Sequence, residues 1–190
     1  HYFKGISYVP LRLCNFEVSQ SMRTDFNLQG NVFREFCSDN SGNIWIGTED
    51  SGLNCFSPST NTYINYSPMQ PDKHINTVNV HALTVIGNNL WIGSFDDGID
   101  VMDLKSKRIV NHFEKGDGSG LTDNFTSTVL STPEFGILVG THSGVLQYNG
   151  STHKFNKFPY AGPYEACPYL YADSKNRLWM CRREYLECVY

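Results

Sequence analysis

The chain has 190 residues, of which 40% are apolar, and this composition fits a folded domain and excludes a fibrous or disordered protein. Acidic residues outnumber basic ones by 19 to 15, so the chain lacks the positive field used to bind nucleic acid or an anionic membrane surface. No apolar run approaches the roughly 18 to 20 residues of a membrane span, and the first residues do not resemble a signal peptide, so signals for export or anchoring would lie outside this sequence.

A repeat recurs four times along the chain. Each copy contains a short apolar run such as Ile44-Trp45-Ile46, and a second apolar run follows after a turn. The central residues of the first runs are Trp45, Trp91, Leu138 and Trp179, at intervals of 46, 47 and 41 residues. This period is typical of β-propeller blades.

Every complete copy divides into four short strand-like runs separated by turn residues, and helical periodicity is nearly absent. The sequence therefore predicts an all-β fold made of propeller blades of four antiparallel strands. About three full blades and two partial ones are expected, as a single propeller segment over residues 1–190. The predicted boundaries are 1–29 for the end of a preceding blade, 30–76, 77–123 and 124–166 for blades, and 167–190 for the start of a further blade.

Tryptophan and glycine residues that recur in register are expected to be structural. We predict that the tryptophans are buried at equivalent places, that the glycine ending the second run allows close backbone approach, and that the glycine before the third run adopts a positive φ. These repeat residues are Trp45, Gly47, Gly52, Trp91, Gly93, Gly98, Gly140, Gly144 and Trp179. In the fourth copy Cys181 stands where the others have the second-run glycine.

The first residues of the chain align with the second half of a blade. We expect a third strand over Lys4 to Val9 and a fourth over Leu13 to Phe16, while the last copy stops within its third strand. A propeller normally closes by joining strands from its two ends. The chain is therefore expected to be an excerpt of a larger ring, or a ring completed by another copy.

The six cysteines show no C-x-x-C spacing and lie mostly in apolar strand-like runs. A free cysteine in such a run behaves as a small apolar residue. We predict that no intrachain disulfide forms among Cys14, Cys37, Cys55, Cys167, Cys181 and Cys188.

Catalytic and metal-binding motifs are missing from the sequence. It contains no G-x-S-x-G, no H-E-x-x-H and no P-loop, and its six histidines lack metal-ligand spacing. The acidic run that includes Asp96, Asp97, Asp100 and Asp103 does not match an EF-hand loop. We therefore expect no catalytic residue, no bound metal and no cofactor.

Blade geometry indicates where a ligand would bind. The loops between second and third strands lie at the same edge as the connections between blades, and together these loops carry carboxylates, guanidinium groups and aromatic rings. This mixture suits a polar ligand whose apolar faces stack on rings. The candidate ligand-binding residues are Glu49, Asp50, Phe95, Asp96, His142, Arg182 and Arg183.

The segment from Asp39 to Asn54 resembles the two-component regulator propeller repeat, and its echoes around Trp91 and Trp179 resemble the same repeat. Such blades form the periplasmic sensor region of Bacteroidetes hybrid two-component histidine kinases. The resemblance implies a periplasmic, non-catalytic region that senses a carbohydrate and signals through dimer geometry. It implies an oligosaccharide ligand and a homo-oligomer or further blades as partners, with no nucleic acid or membrane contacted by this segment.

Two alternatives stay open. One is a secreted propeller enzyme of the virginiamycin-lyase type, which places a metal and a catalytic histidine on the ring face; only His142 lies in a loop between second and third strands. The other is a propeller for protein–protein interaction. The sequence also departs from the repeat at Leu138, which stands in place of the tryptophan, and structural drift and local specialisation both stay open as the reason.

Overall fold

The computed structural model describes residues 28–162 and 165–190, and in these ranges the regular structure consists of β-strands without any helix. The strands expected over Lys4 to Val9 and Leu13 to Phe16 lie outside the described residues, as does Cys14. The described ranges contain no helix long and apolar enough to cross a membrane.

In the described ranges, fifteen strands form four separate sheets. The first sheet consists of β1 (Phe33–Ser38), β2 (Ile44–Thr48), β3 (Leu53–Ser57) and β4 (Thr62–Tyr66). The second consists of β5 (Val80–Ile86), β6 (Asn89–Ser94), β7 (Ile99–Asp103) and β8 (Arg108–Phe113). The third consists of β9 (Thr126–Thr132), β10 (Gly136–Thr141), β11 (Gly144–Asn149) and β12 (Lys154–Lys157), and the fourth of β13 (Tyr169–Ala172), β14 (Leu178–Cys181) and β15 (Leu186–Val189).

All strand neighbours are antiparallel and follow chain order within each sheet. The first strand of each sheet contacts the first strand of the next, as in β1 with β5, β5 with β9 and β9 with β13. These first strands therefore lie at one edge of the stack, where the innermost strands of propeller blades lie. The all-β prediction of four-stranded propeller blades in an incomplete ring is confirmed. The boundaries between blades stay a prediction.

A separate apolar core fills each gap between neighbouring sheets. Trp45 and Val80 belong to the core between the first and second sheets, Trp91 and Val139 to the next, and Leu138 and Met180 to the last. Burial between sheets explains why the second strands are apolar on both faces.

The prediction of three equivalently buried tryptophans needs a correction at Trp179. Trp45 and Trp91 are 0% and 3% exposed, whereas Trp179 is half-buried. The indoles of Trp45 and Trp91 pack towards the sheet that follows in the chain. No described sheet covers the corresponding face of the fourth sheet, where Tyr171, the cross-strand neighbour of Trp179, is 54% exposed.

Two glycine predictions are confirmed. Gly47 lies so close to the next sheet that a Cβ there would be 2.7 Å from the Cγ1 of Val80, and a Cβ at Gly93 would be 2.6 Å from the Cγ2 of Thr126. A Cβ at Gly140 would lie 2.6 Å from the carbonyl oxygen of Cys167, in the connection to the fourth sheet. Gly98 has a φ of +71°, and a Cβ there would lie 2.1 Å from the carbonyl oxygen of Phe113. The second-strand glycines thus allow the sheets to stack, and the third-strand glycines allow the chain to turn.

Candidate functional site

One edge of the sheet stack carries the loops between second and third strands together with the connections between sheets, as predicted from blade geometry. We call it the loop edge. In the first two sheets, a hydroxyl at the end of the second strand braces the loop that follows: Thr48 Oγ1 donates to the carbonyl oxygen of Gly52 at 2.9 Å, and Ser94 Oγ donates to that of Gly98 at 3.0 Å. Both hydroxyl oxygens also accept a backbone N–H from their loop. The loops are therefore held in a fixed conformation before any ligand arrives.

A β-bulge near the start of the first strand recurs in three sheets. The pairing register with the second strand shifts between Phe33 and Glu35 and between Val80 and Ala82, which leaves Arg34 and His81 as the extra residues. The third sheet has the same irregularity at Ser127. A bulge re-aims the side chain of its extra residue and is frequent beside functional sites.

His81 forms the centre of an aromatic group at the loop edge. Its ring centroid lies 5.3 Å from that of Phe95 and 5.1 Å from that of Phe125, and the two phenylalanine rings are 5.2 Å apart. His142 joins from the third sheet, 6.2 Å from Phe125. His81 is 8% exposed while Phe95 is 45% exposed, so the group has a buried floor and an open aromatic surface.

The pKa of His81 is lowered to about 4, chiefly by burial and also by the charge of Arg34, while Glu49 and Asp96 oppose the shift. His81 is therefore a neutral imidazole at physiological pH. The floor of the aromatic group consequently carries no positive charge.

Charged side chains flank the aromatic group. Arg34 forms an ion pair with Glu49, and both side chains are about a quarter exposed. Asp96 is exposed on the loop next to Phe95, near enough for its charge to act on His81. Because Arg34 and Glu49 balance each other, the surroundings of the rings carry an excess of negative charge from Asp96.

The structure brings Glu49, Phe95, Asp96 and His142 to this group, as the sequence predicted. It adds Arg34, His81 and Phe125, which sequence reasoning missed. The available signal was a polar residue that interrupts the apolar first run, as His81 does between Val80 and Ala82.

Asp50 belongs to a different part of the loop edge. Its carboxylate accepts hydrogen bonds from the backbone and the side-chain amide of Asn31. It also lines a cavity of about 480 Å³, and the connection between the first and second sheets forms one wall of this cavity. Asn65, Gln70 and Lys73 line the same cavity, and Gln70 donates to the Asn65 side chain at 3.1 Å. We call this space the linker cavity.

The two predicted arginines differ from each other. Arg182 is 5% exposed, with its guanidinium paired to Glu187 at 2.9 Å and hydrogen-bonded to the carbonyl oxygen of Glu165. These contacts hold the end of the fourth sheet, so we leave Arg182 out of the candidate site. Arg183 is exposed, and its role stays a prediction.

Within residues 28–162 and 165–190, no three histidine, cysteine or acidic side chains converge as metal ligands. The five cysteines in these ranges are free thiols. The arrangement of rings, carboxylates and a paired arginine suits recognition of a polar ligand that has apolar faces.

Comparison with known proteins agrees with this architecture. Residues 27–50 match the family model described as a two component regulator propeller. No curated protein shows significant sequence similarity to the chain.

Solved propellers share the fold at low sequence identity. One is described as the extracellular domain of a hybrid two component system, BT3049, from B. thetaiotaomicron, with 21% identity, a TM-score of 0.75, and coverage of 90% of this chain and 24% of that one. Another, from the BT4673 system of the same organism, gives 20% identity and a TM-score of 0.69 over 84% and 23% of the two chains. The WD40 β-propeller domain of Doa1 gives 11% identity and a TM-score of 0.61 over 82% and 49%.

The chain thus spans about a quarter of the length of the two B. thetaiotaomicron domains. The resemblance to two-component regulator propellers is confirmed by the family match and the shared fold. The chain has the fold of β-propeller blades, and its residues 27–50 carry a two-component regulator propeller repeat.

Proposed function

We propose that this chain is part of the extracytoplasmic, ligand-sensing propeller of a two-component sensor histidine kinase, and that its loop edge binds a carbohydrate. The single observation that carries the binding proposal is the open aromatic group around His81, flanked by Glu49 and Asp96. Apolar faces of a sugar stack on rings such as Phe95, and its hydroxyls donate to carboxylates.

The sensor context has separate support. The family match describes a regulator propeller, and two structural neighbours are described as extracellular domains of two component systems. Both descriptions favour a binding role without catalysis, placed outside the cytoplasm. Recognition at a fixed loop edge is consistent with that role because the braced loops lose little entropy when a ligand binds.

Calorimetric titration of neutral oligosaccharides into the chain tests the site. We expect Phe95→Ala and Asp96→Asn each to weaken binding by about tenfold, which corresponds to about 1.4 kcal/mol. The control for Phe95→Ala is Val110→Ala, which also shortens an exposed apolar side chain but lies on β8. The control for Asp96→Asn is Glu134→Gln, which neutralises an exposed carboxylate at the opposite edge of the third sheet. Equal losses in the site variants and the controls would disprove the site.

The proposed partners are further blades of the same protein or a second copy of this chain. The outer face of the first sheet exposes Phe36 at 57%, and the fourth sheet exposes Tyr169 at 57% and Leu186 at 58%. Apolar patches of this kind mark association surfaces. Sedimentation of the 190-residue chain should show self-association that Phe36→Ser or Leu186→Ser weakens, and a strictly monomeric chain would argue against a second copy.

Signalling through dimer geometry would follow from a difference in ligand affinity between two dimer arrangements. The ligand can shift their balance by no more than that difference. In a full-length receptor, Phe95→Ala should therefore reduce the signal in proportion to the lost affinity. If Phe95→Ala abolished binding but left the signal of the receptor unchanged, the loop edge would not be the sensing site.

A further inference from the structure

The connection between the first and second sheets is tied to the second sheet by a buried carboxylate. Asp100 is 3% exposed, and its two oxygens accept the backbone N–H of Asn76 at 2.7 Å and the Asn76 side-chain amide at 2.6 Å. The Nδ1–H of His112 on β8 donates to the same carboxylate at 2.7 Å. Three groups from the connection, β7 and β8 thus meet at one point.

The first sheet contains the same arrangement built from neutral groups. Asn54 occupies the position of Asp100 and exchanges hydrogen bonds with the backbone of Gln29, at 3.1 Å and 2.9 Å. Asn65 is its cross-strand partner, as His112 is for Asp100, and donates to Asn54 Oδ1 at 3.3 Å. The second sheet therefore has an ionisable pair where the first has two amides.

We propose that Asp100, His112 and Asn76 form a pH-responsive latch that holds the connection over residues 67–79 more firmly against the second sheet as the pH falls. When the latch is closed, the connection covers the carboxylate, and an uncompensated buried charge is costly. A protonated His112 neutralises that charge. When the connection detaches, water reaches Asp100 and the pair weakens.

The hydrogen bond from His112 to Asp100 raises the pKa of the His112 imidazole. Burial lowers this pKa, whereas the negative charges of Asp100, Glu114 and Asp117 raise it further. A pKa that is higher in the closed state means that the extra stability is fully present below the ordinary value of about 6.5 and is lost as the pH rises through the raised value. His74 also faces the latch, through a 3.2 Å contact between its Nε2 and Asn76 Oδ1. Lys73 and Lys115 are the lysines adjacent in sequence to His74 and to Glu114.

The latch acts on one wall of the linker cavity, because the same connection supplies Gln70 and Lys73 to that cavity. This consequence is independent of whether the aromatic group binds a carbohydrate. The latch can therefore be tested without any ligand.

Amide hydrogen exchange of the intact 190-residue chain provides the test, with the Asn76 amide as the probe and the Gln29 amide as an internal reference. Between pH 8 and pH 5.5, the protection of Asn76 relative to Gln29 should rise, by up to tenfold for each unit by which closing raises the pKa of His112. A ratio that stays constant over this range would overturn the proposal.

Two variants test whether His112 causes the pH dependence of Asn76 protection. His112→Asn copies the first-sheet arrangement and should make the protection ratio independent of pH, whereas His74→Asn should leave the pH dependence intact. Persistence of the dependence in His112→Asn, or its loss in His74→Asn, would contradict the latch. If His112→Asn fails to fold, NMR titration of the unmodified chain still decides, since a His112 midpoint at or below about 6.5 would also refute the proposal.

Discussion

The carboxylate of Asp39 accepts a 3.0 Å hydrogen bond from the indole Nε1 of Trp45. The same bond recurs in the fourth sheet, where Asp173 accepts from Trp179 at 3.0 Å. In the first sheet, Lys107 from the second sheet lies over the Trp45 ring, 4.6 Å from its centroid, and 3.7 Å from Asp39. Asp39 and Trp45 therefore connect the turn after β1, strand β2 and, through Lys107, the second sheet.

Replacing Trp45 with alanine should destabilise the fold by about 3 to 5 kcal/mol, because a fully buried indole is lost and a cavity remains. Trp179→Ala should cost clearly less, since its ring is half-buried. Urea unfolding followed by far-ultraviolet circular dichroism measures both. Equal losses for the two variants would contradict the burial difference.

The free energy of unfolding should decrease at acidic pH, and protonation of Asp39 should account for part of this decrease. Burial alone would raise the pKa of this carboxyl, but hydrogen bonds from Asn43, Trp45 and Ser41 outweigh it and lower the pKa. Because the folded pKa is depressed, the stabilisation is present above the unfolded value of about 3.9 and is lost as the pH falls through the folded value.

Asp39→Asn should accordingly show a shallower loss of stability below about pH 4 than the unmodified chain. Urea unfolding at several pH values gives the slopes. Glu134→Gln, at an exposed carboxylate, is the control. An identical acid slope in Asp39→Asn would show that this carboxyl does not contribute.

The scaffold could be predicted from sequence because its determinants repeat. The tryptophan register predicted the second strands, and Gly98 predicted a turn with positive φ. These features depend on neighbours within one repeat. Placement of Phe95 and Asp96 at the loop edge followed from strand order alone.

The remaining site residues could not be predicted because they depend on contacts between distant segments. The bulges at Arg34 and His81 exist only through the register of the first strand against the second. Burial of Arg182 depends on Glu187, and exposure of Trp179 depends on the absence of a described sheet over its outer face. His81 does interrupt an apolar run within its own strand, but the burial of Arg182 and the exposure of Trp179 have no signal within one strand.

Gly47→Ala should destabilise the fold by about 1 to 3 kcal/mol, because the new Cβ would meet Val80 Cγ1 at 2.7 Å and force the first two sheets apart. Gly150→Ala is the matched control, since its Cβ would meet nothing closer than 3.9 Å. Thermal unfolding compares the two variants. In a Val80→Ala background, Gly47→Ala should cost less, and an unchanged cost would contradict a clash with Val80.

Thiol reactivity should separate the cysteines of the folded chain. Burial raises the pKa of Cys37 to about 12, and it raises the pKa of both Cys55 and Cys167 to about 11. At pH 8 a thiol with a pKa near 11 is ionised in only roughly one molecule per thousand, and the thiolate is the reactive form. Among the five cysteines of the described ranges, Cys181 and Cys188 are half-buried and should be alkylated first.

Pulse alkylation at pH 8 followed by peptide mass spectrometry resolves each site, and Cys167, which is 0% exposed, should be among the slowest. In denaturant without reductant, all six cysteines should be modified, as the prediction of no intrachain disulfide requires. Fast labelling of Cys167 in the folded chain would mean that the third and fourth sheets separate readily, because this thiol lies in the core between them. Fewer than six modified sites after denaturation would instead show a disulfide that the strand positions of the cysteines did not predict.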